Sequence, residues 1–128
     1  MRKVILMMLL AGVSGNAMAE WASIGSNEKT AIYVDQTTVK RQGDLATMWH
    51  LTDFTHSQQD MGEKYLSTKD QNEYDCKEMK WRRRAASQYS KNMGGGKLVY
   101  SDTYTTRWMR VPPDSGVEIL LNFACKKR

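Results

Sequence analysis

Residues 45–54 read Leu45-Ala46-Thr47-Met48-Trp49-His50-Leu51-Thr52-Asp53-Phe54. Two sets of side chains alternate along this stretch: Leu45, Thr47, Trp49 and Leu51 in one set, and Ala46, Met48, His50 and Thr52 in the other. Residues that favour β-structure are dense throughout it. The alternation and the composition together predict a central strand of a β-sheet.

Two shorter stretches before this strand predict a hairpin. Residues 21–25 and 30–35 both have strand character, and they flank the polar segment 26–29. A short polar tip between two such segments is typical of a reversal between paired strands. We therefore expect the N-terminal part of the chain to enter the same sheet.

The chain after the central strand continues the extended pattern. Residues 65–76 and 77–90 are long, polar and alternating, and both are interpreted as strands, with helix as the rival interpretation. The segment 92–96, Asn-Met-Gly-Gly-Gly, supplies residues that tolerate positive φ and predicts a reversal. Residues 97–101 follow as a further strand.

The C-terminal part of the chain changes from a strand period to a helix period. Pro112 and Pro113 cannot continue a ladder of strand hydrogen bonds, and Ser115 with Glu118 three residues later has the form of a capping box. A helix is expected to begin there. The residues spaced to share one apolar stripe of it are Val117, Leu120, Leu121 and Ala124.

The first nineteen residues have the pattern of a signal peptide. A basic start, Met1-Arg2-Lys3, precedes an apolar run over residues 4–12 and the small-residue cleavage box at residues 17–19. The apolar run is too short to span a bilayer comfortably. We therefore expect cleavage after Ala19, with no transmembrane anchor left in the mature chain.

Length and charge restrict the classes of protein that fit. Residues 20–128 are expected to form one domain. Without Arg2 and Lys3, 17 basic residues remain of 19 against 14 acidic ones, so the mature net charge is +3. An exported chain of this mild charge is not expected to bind nucleic acid, and its surplus better suits anionic surfaces or acidic protein segments.

The two cysteines are expected to form a disulfide. Cys76 and Cys125 are an even pair in a chain predicted to be exported to an oxidising compartment, where a bridge is favoured over a redox or metal pair. A bridge between them closes a loop of about 50 residues, for which chain entropy gives a stabilisation of roughly 4 kcal/mol. It would tie down a helix that is too short to be stable alone.

The basic run Lys80-Trp81-Arg82-Arg83-Arg84 carries the ligand-binding hypothesis. On a strand, Lys80, Arg82 and Arg84 point to one face at intervals of about 7 Å, while Trp81 and Arg83 point to the other. Such a row suits a polyanion or an acidic partner. The alternative is a solvated sheet face in which one arginine pairs with Asp75 or Glu78.

No catalytic, metal or cofactor site is predicted. The two histidines, His50 and His56, are too few for a structural zinc site once both cysteines are bridged, and His50 is interpreted as a strand residue packed beside Trp49. Neither Ser67 nor Ser115 has a nucleophile elbow around it, so a hydrolytic triad is not expected. The chain is therefore expected not to be an enzyme.

An ordered set of residues carries a family resemblance. The set is Trp21, Ile24, Tyr33-Val34-Asp35, Met48-Trp49-His50-Leu51-Thr52-Asp53, Tyr65-Leu66-Ser67, Tyr74-Asp75-Cys76, Arg82, Tyr89-Ser90, Trp108, Pro113, Ser115 and Cys125. With this set the chain resembles the surface-adhesin protein E family of Gram-negative bacteria over nearly all of residues 20–128. The resemblance implies an α+β fold, with an antiparallel sheet of about six strands, one C-terminal helix packed on it, an intramolecular disulfide, and a homodimer.

The resemblance also implies a function. It implies attachment to host extracellular-matrix or serum proteins such as vitronectin, laminin and plasminogen. One departure concerns the lipid anchor of the characterised adhesin, because Glu20 follows the cleavage box here and no lipobox cysteine precedes it. We therefore expect an exported, non-catalytic adhesin-type protein at the cell surface, in the periplasm or secreted. The alternative is a soluble periplasmic binding or envelope-interaction module with no host ligand.

Overall fold

An antiparallel sheet and a C-terminal helix make up the fold in a computed structural model that describes residues 20–60 and 62–126. The predicted signal peptide, residues 1–19, lies outside the described residues. The strands are β1 (Ala22–Ser26), β2 (Thr30–Val34), β3 (Lys40–Gln42), β4 (Leu45–Gln58), β5 (Tyr65–Asp75), β6 (Lys80–Tyr89), β7 (Leu98–Asp102) and β8 (Met109–Arg110), and the helix is α1 (Gly116–Cys125). Short 3-10 helices span Gln36–Thr38 and Asn92–Gly94.

The sheet has the order β1-β2-β4-β5-β6-β7, and every pairing in it is antiparallel. The two short strands extend existing rows: β3 pairs with the start of β4, and β8 pairs with the start of β6. The sheet is therefore eight strands arranged in six rows, and the predicted α+β class with about six antiparallel strands is confirmed. The strand interpretation of residues 65–76 and 77–90 is also confirmed, and the helix interpretation is wrong.

The second of these strands begins later than predicted, at Lys80 rather than Lys77. The Asp75 side chain accepts hydrogen bonds from the backbone N–H groups of Lys77 and Glu78, at 3.0 and 2.9 Å. Met79 then adopts a positive φ of 57°. This turn keeps residues 77–79 out of the ladder, because their backbone closes the link between β5 and β6.

Helix α1 begins with the predicted N-cap. Ser115 Oγ accepts a hydrogen bond from the Glu118 N–H at 3.2 Å. The reciprocal half of the capping box differs from the expected one, because Glu118 Oε1 accepts from the Asp114 N–H at 3.0 Å and not from that of Ser115. A Cβ at Gly116 would lie 2.9 Å from Ile32 Cδ1, so the glycine lets the helix begin close to β2.

The hydrophobic core lies between α1 and one end of the sheet. Its buried members are Val34, Ala46, Met48, Tyr74, Leu120, Leu121 and Ala124. Three of the four residues of the predicted helix stripe are thus buried, and the fourth, Val117, packs against them. The Cys76–Cys125 disulfide is present, as predicted, and ties the end of α1 to the end of β5. The helix covers only part of this sheet face, and a cleft lies over another part of it.

Candidate functional site

The three predicted ligand-binding cations lie on β6, and they differ in their contacts. Lys80 and Arg84 are exposed, whereas Arg82 is half-buried. Both Nε and Nη2 of Arg82 lie 2.7 Å from Oε1 of Glu73, the residue opposite it on β5. The guanidinium also lies over the Trp108 ring, 4.4 Å from its centroid. Arg82 is thus held on both sides by the fold, and its acidic partner is neither of the two that the sequence suggested.

A β-bulge positions Arg84. The register of β5 against β6 shifts between Gln71 and Asn72, and Arg84 is the extra residue of β6 at that point. Its Nη1 lies 3.9 Å from Glu73 Oε2, which is a long contact for an exposed side chain. The guanidinium of Arg84 therefore remains largely solvated, with only a weak attraction to Glu73.

Lys80 lies opposite two charged residues. It pairs in register with Asp75 on β5 and with the exposed Arg110 on β8. Directly opposed like charges destabilise a sheet by a few tenths of a kcal/mol to about 1 kcal/mol. Asp75 on the other side of Lys80 is an opposite charge in the same row, so the three residues together carry one net positive charge.

The hydroxyls considered for catalysis have structural partners. Ser67 Oγ donates to the Lys91 carbonyl at 2.6 Å and accepts from the Gly94 N–H at 2.8 Å. Ser115 Oγ donates to the Pro112 carbonyl at 2.6 Å and caps the helix. Neither serine Oγ is hydrogen-bonded to a histidine within the described ranges. Across the same residues, no group of three or more His, Cys, Asp or Glu side chains is placed to hold a metal ion.

The helix-bearing face holds a second set of polar residues that sequence reasoning did not single out. His50 on β4 lies opposite Asp70 on β5, with Nε2 3.9 Å from Oδ2. His50 is on the other face of β4 from Trp49, so the expected packing beside Trp49 is wrong. Arg83 on β6 lies diagonally across from Asp70, and its Nε has no hydrogen-bond partner in the described part of the chain.

Burial shifts the pKa values of this pair in opposite directions. Burial, and secondarily the charge of Arg83, lowers the pKa of His50 to about 4. Burial raises the pKa of Asp70 to about 6, although Arg83 opposes the shift. At neutral pH, His50 is therefore uncharged and Asp70 is ionised, so their contact is not an ion pair.

A groove opens from these residues along the uncovered half of the face. Its outer part is a cleft of about 590 Å³, and its inner part is a cavity of about 210 Å³ beside the first residues of α1. The two parts share Thr52, Asp70 and Arg83. The outer cleft also has aromatic walls and two further carboxylates, from Phe54, Asp60, Tyr65, Tyr100, Asp102 and Tyr104. We call the combined space the helix-side groove.

The sequence contained only a weak signal for this groove. The alternation within 80–84 already placed Arg83 opposite to the other arginines, which left one cation pointing toward the helix side. Its neighbours there come from four strands, and cross-strand register cannot be read from a single sequence. The groove is assembled by tertiary structure.

The other face of the sheet, which α1 does not cover, is rich in aromatic side chains. Lys69 Nζ lies 6.0 Å from the centroid of the Trp21 ring and 5.0 Å from that of Tyr89. Trp49 and Tyr33 belong to the same face by strand alternation and are half-buried. This surface continues into the Glu73 and Arg82 row.

No helix within residues 20–60 and 62–126 has the length and apolar character needed to cross a bilayer. No curated protein sequence shows significant similarity to the chain.

Solved structures of protein E from Haemophilus influenzae share its fold. Crystal form II superposes with a TM-score of 0.65 at 10% identity, covering 84% of this chain and 88% of that one. The protein from non-typeable H. influenzae gives a TM-score of 0.59 at 12% identity, covering 84% and 74%.

The family comparison covers almost the whole described region. The sequence model of the family described as Surface-adhesin protein E matches residues 21–126. This range contains every strand of the sheet, both cysteines and the C-terminal helix. The chain therefore belongs to the surface-adhesin protein E family.

Proposed function

We propose that this protein is an exported, non-catalytic adhesin that attaches to host extracellular-matrix or serum proteins of the vitronectin, laminin or plasminogen type. The observation that carries the proposal is family membership over residues 21–126. Membership in a surface-adhesin family implies an exported protein. We further propose that residues 1–19 are the signal peptide and residues 20–128 the mature domain.

The contact surface we propose is the basic face of β6, made of Lys80, Arg82 and Arg84. The exposed Lys80 and Arg84 supply the charge that meets an acidic partner, and Arg110 opposite Lys80 extends the surface. Arg82 has a different role in this proposal. Its contacts with Glu73 and Trp108 hold the middle of the row in place.

We propose that the protein works as a homodimer. A helix is about 10–12 Å wide, and strands are about 4.8 Å apart, so α1 covers only two or three of the six rows. The opposite face exposes parts of Trp21, Tyr33 and Trp49. A second copy of the same chain is the occupant we assign to it, because pairing the same face of two copies around a two-fold axis buries exposed aromatic surface on both.

The experiment is a binding assay with the mature protein on immobilised vitronectin and laminin. The double variant Lys80→Ser with Arg84→Ser is expected to bind more weakly, with most of the loss in the association rate. Binding of the parent is expected to weaken as salt rises, and heparin is expected to compete, because charges are screened over about 8–10 Å near physiological ionic strength.

The matched control is Lys29→Ser with Lys64→Ser, which removes the same charge from exposed positions away from β6. This control is expected to bind as the parent does, and both double variants are expected to keep the parental melting temperature. Equal binding by the β6 variant and the parent would move the contact elsewhere. No binding of the parent to these proteins at micromolar concentration, together with protection from protease on intact cells, would favour the periplasmic alternative.

A further inference from the structure

The inner cavity of the helix-side groove contains polar atoms that the fold leaves unpaired. His50 is 5% exposed and Asn72 is 3% exposed, and both line this cavity together with Arg83. His50 Nδ1, Asn72 Oδ1 and Arg83 Nε have no hydrogen-bond partner in the described part of the chain. Buried polar atoms of folded proteins are nearly always hydrogen-bonded, because each unpaired one costs about 1–3 kcal/mol.

These three atoms differ in what they require. Asn72 Oδ1 accepts a hydrogen bond, Arg83 Nε donates one, and His50 Nδ1 does either according to its tautomer. A guest that satisfies all of them must therefore carry both donors and acceptors. Hydroxyl groups do both, since each one donates and accepts.

The outer cleft adds flat apolar surfaces to this polar floor. Tyr104 is 74% exposed, and its backbone N–H donates to Asp102 Oδ1 at 3.1 Å. The Tyr100 hydroxyl donates to the other oxygen of the same carboxylate. On the other side, Tyr65 donates to Asp60 Oδ2 at 3.1 Å and lies edge-on to Phe54, with ring centroids 6.0 Å apart. Asp102 and Asp60 thus hold the hydroxyls of Tyr100 and Tyr65, and Asp102 also holds the backbone at Tyr104, whose ring remains exposed.

The charges in the groove are mixed, with the carboxylates of Asp60, Asp70 and Asp102 around the guanidinium of Arg83. An anion would meet the carboxylates of Asp60, Asp70 and Asp102. A cation is attracted by these carboxylates, but it supplies no acceptor for the guanidinium of Arg83, for which no ion pair is formed within the described residues. A neutral ligand with many hydroxyl groups is repelled by neither, and it uses acceptors and donors together.

We propose that the helix-side groove is a saccharide-binding site, in which Arg83, Asp70 and Asp102 bond sugar hydroxyls and Tyr104 stacks on a sugar face. Its outer volume of about 590 Å³ lies within the range of ~300–1,000 Å³ typical of small-molecule sites. The site lies on the sheet face opposite the basic residues of β6. It is therefore separate from the proposed host-protein contact. A result that contradicts one of these two proposals leaves the other unaffected.

The test titrates three neutral oligosaccharides, maltotriose, lactose and tri-N-acetylchitotriose, into the mature protein, with the His50 imidazole signals followed by NMR. At least one sugar is expected to bind in the millimolar range or tighter and to shift the His50 signals. Tyr104→Ala and Arg83→Gln are each expected to weaken that binding about tenfold. Tyr104 is largely exposed, so its variant keeps the proposal testable if Arg83→Gln unfolds.

The charge control is Arg107→Gln, which removes an exposed cation that does not line the groove. It is expected to bind sugar within twofold of the parent. Spermidine and inorganic sulfate serve as cation and anion probes. Saturation of the groove by either one without sugar binding would overturn the saccharide assignment. So would the absence of any His50 shift with all three sugars, which would leave the groove a water-filled cleft.

Discussion

His50 and Asp70 face each other across β4 and β5, with Nε2 of His50 3.9 Å from Oδ2 of Asp70. Burial disfavours the charged form of both side chains. The pKa of Asp70 is raised from 3.8 to about 6, so the folded state binds more protons than the unfolded state between these values. The pKa of His50 is lowered from 6.5 to about 4, so here the folded state binds fewer. The first effect lowers stability as pH rises through this window, and the second raises it.

The two effects on stability oppose each other, so removing either residue leaves the pH dependence that the other residue causes. Asp70→Asn is expected to make the free energy of unfolding rise more steeply than that of the parent between pH 4 and 6.5, because the His50 effect remains. His50→Gln is expected to make it fall between pH 4 and 6. Urea unfolding midpoints at pH 4, 5, 6 and 7 measure this. Parallel pH curves for both variants and the parent would contradict the shifted pKa values.

The Arg82 and Glu73 pair is expected to contribute to stability far more than the neighbouring arginine does. Glu73 is 6% exposed, so Arg82→Ser leaves a buried carboxylate without its partner and is expected to cost about 2 kcal/mol. Arg84→Ser, at an exposed position with a 3.9 Å contact, is expected to cost less than about 0.5 kcal/mol. Chemical unfolding measures both.

A double-mutant cycle separates the pair from general loss of packing. Glu73→Gln in the Arg82→Ser background is expected to recover part of the lost stability, because it removes the uncompensated charge. If the two changes instead add, the ion pair is not the source of the stability, and contact with the Trp108 ring becomes the explanation.

The disulfide is expected to supply a large share of the free energy of unfolding. Cys76→Ala with Cys125→Ala opens a link of sequence separation 49, for which the expected loss is about 4 kcal/mol out of the ~5–15 kcal/mol of a small domain. Thiol titration of denatured, unreduced protein is expected to find none free. Two reactive thiols per chain would contradict the bridge.

Self-association is expected through the sheet face opposite α1, which carries Trp21, Tyr33 and Trp49. Light scattering at tens of micromolar is expected to give the mass of a dimer for the mature protein. Trp49→Glu places a charge in that face and is expected to shift the mass to that of a monomer. Tyr104→Ala, on the helix side, is the control and is expected to remain dimeric. A monomeric parent would rule out this use of the aromatic face.

Elements with strong local signals could be predicted from the sequence, and the groove could not. The alternation of residues 45–54 predicted β4, and Ser115 with the apolar stripe predicted α1, because both signals lie within a few residues. The turn at Met79 was missed because a positive φ at a methionine has no compositional mark. The meeting of Asp70 with His50 and Arg83 depends on the register of three strands and on the bulge after Gln71. These are set by packing over the whole sheet.

The bridge is attached at Cys125, the last residue of α1, so the stability of this helix depends on the oxidation state of the two cysteines. A helix of 10 residues is marginal by itself, and the cytoplasm keeps thiols reduced. While Cys76 and Cys125 are reduced, the C-terminal segment therefore lacks the covalent link that holds it over Met48 and Tyr74. The fold reaches its full stability only where the two cysteines are oxidised, so the redox state of its surroundings sets how firmly α1 is held.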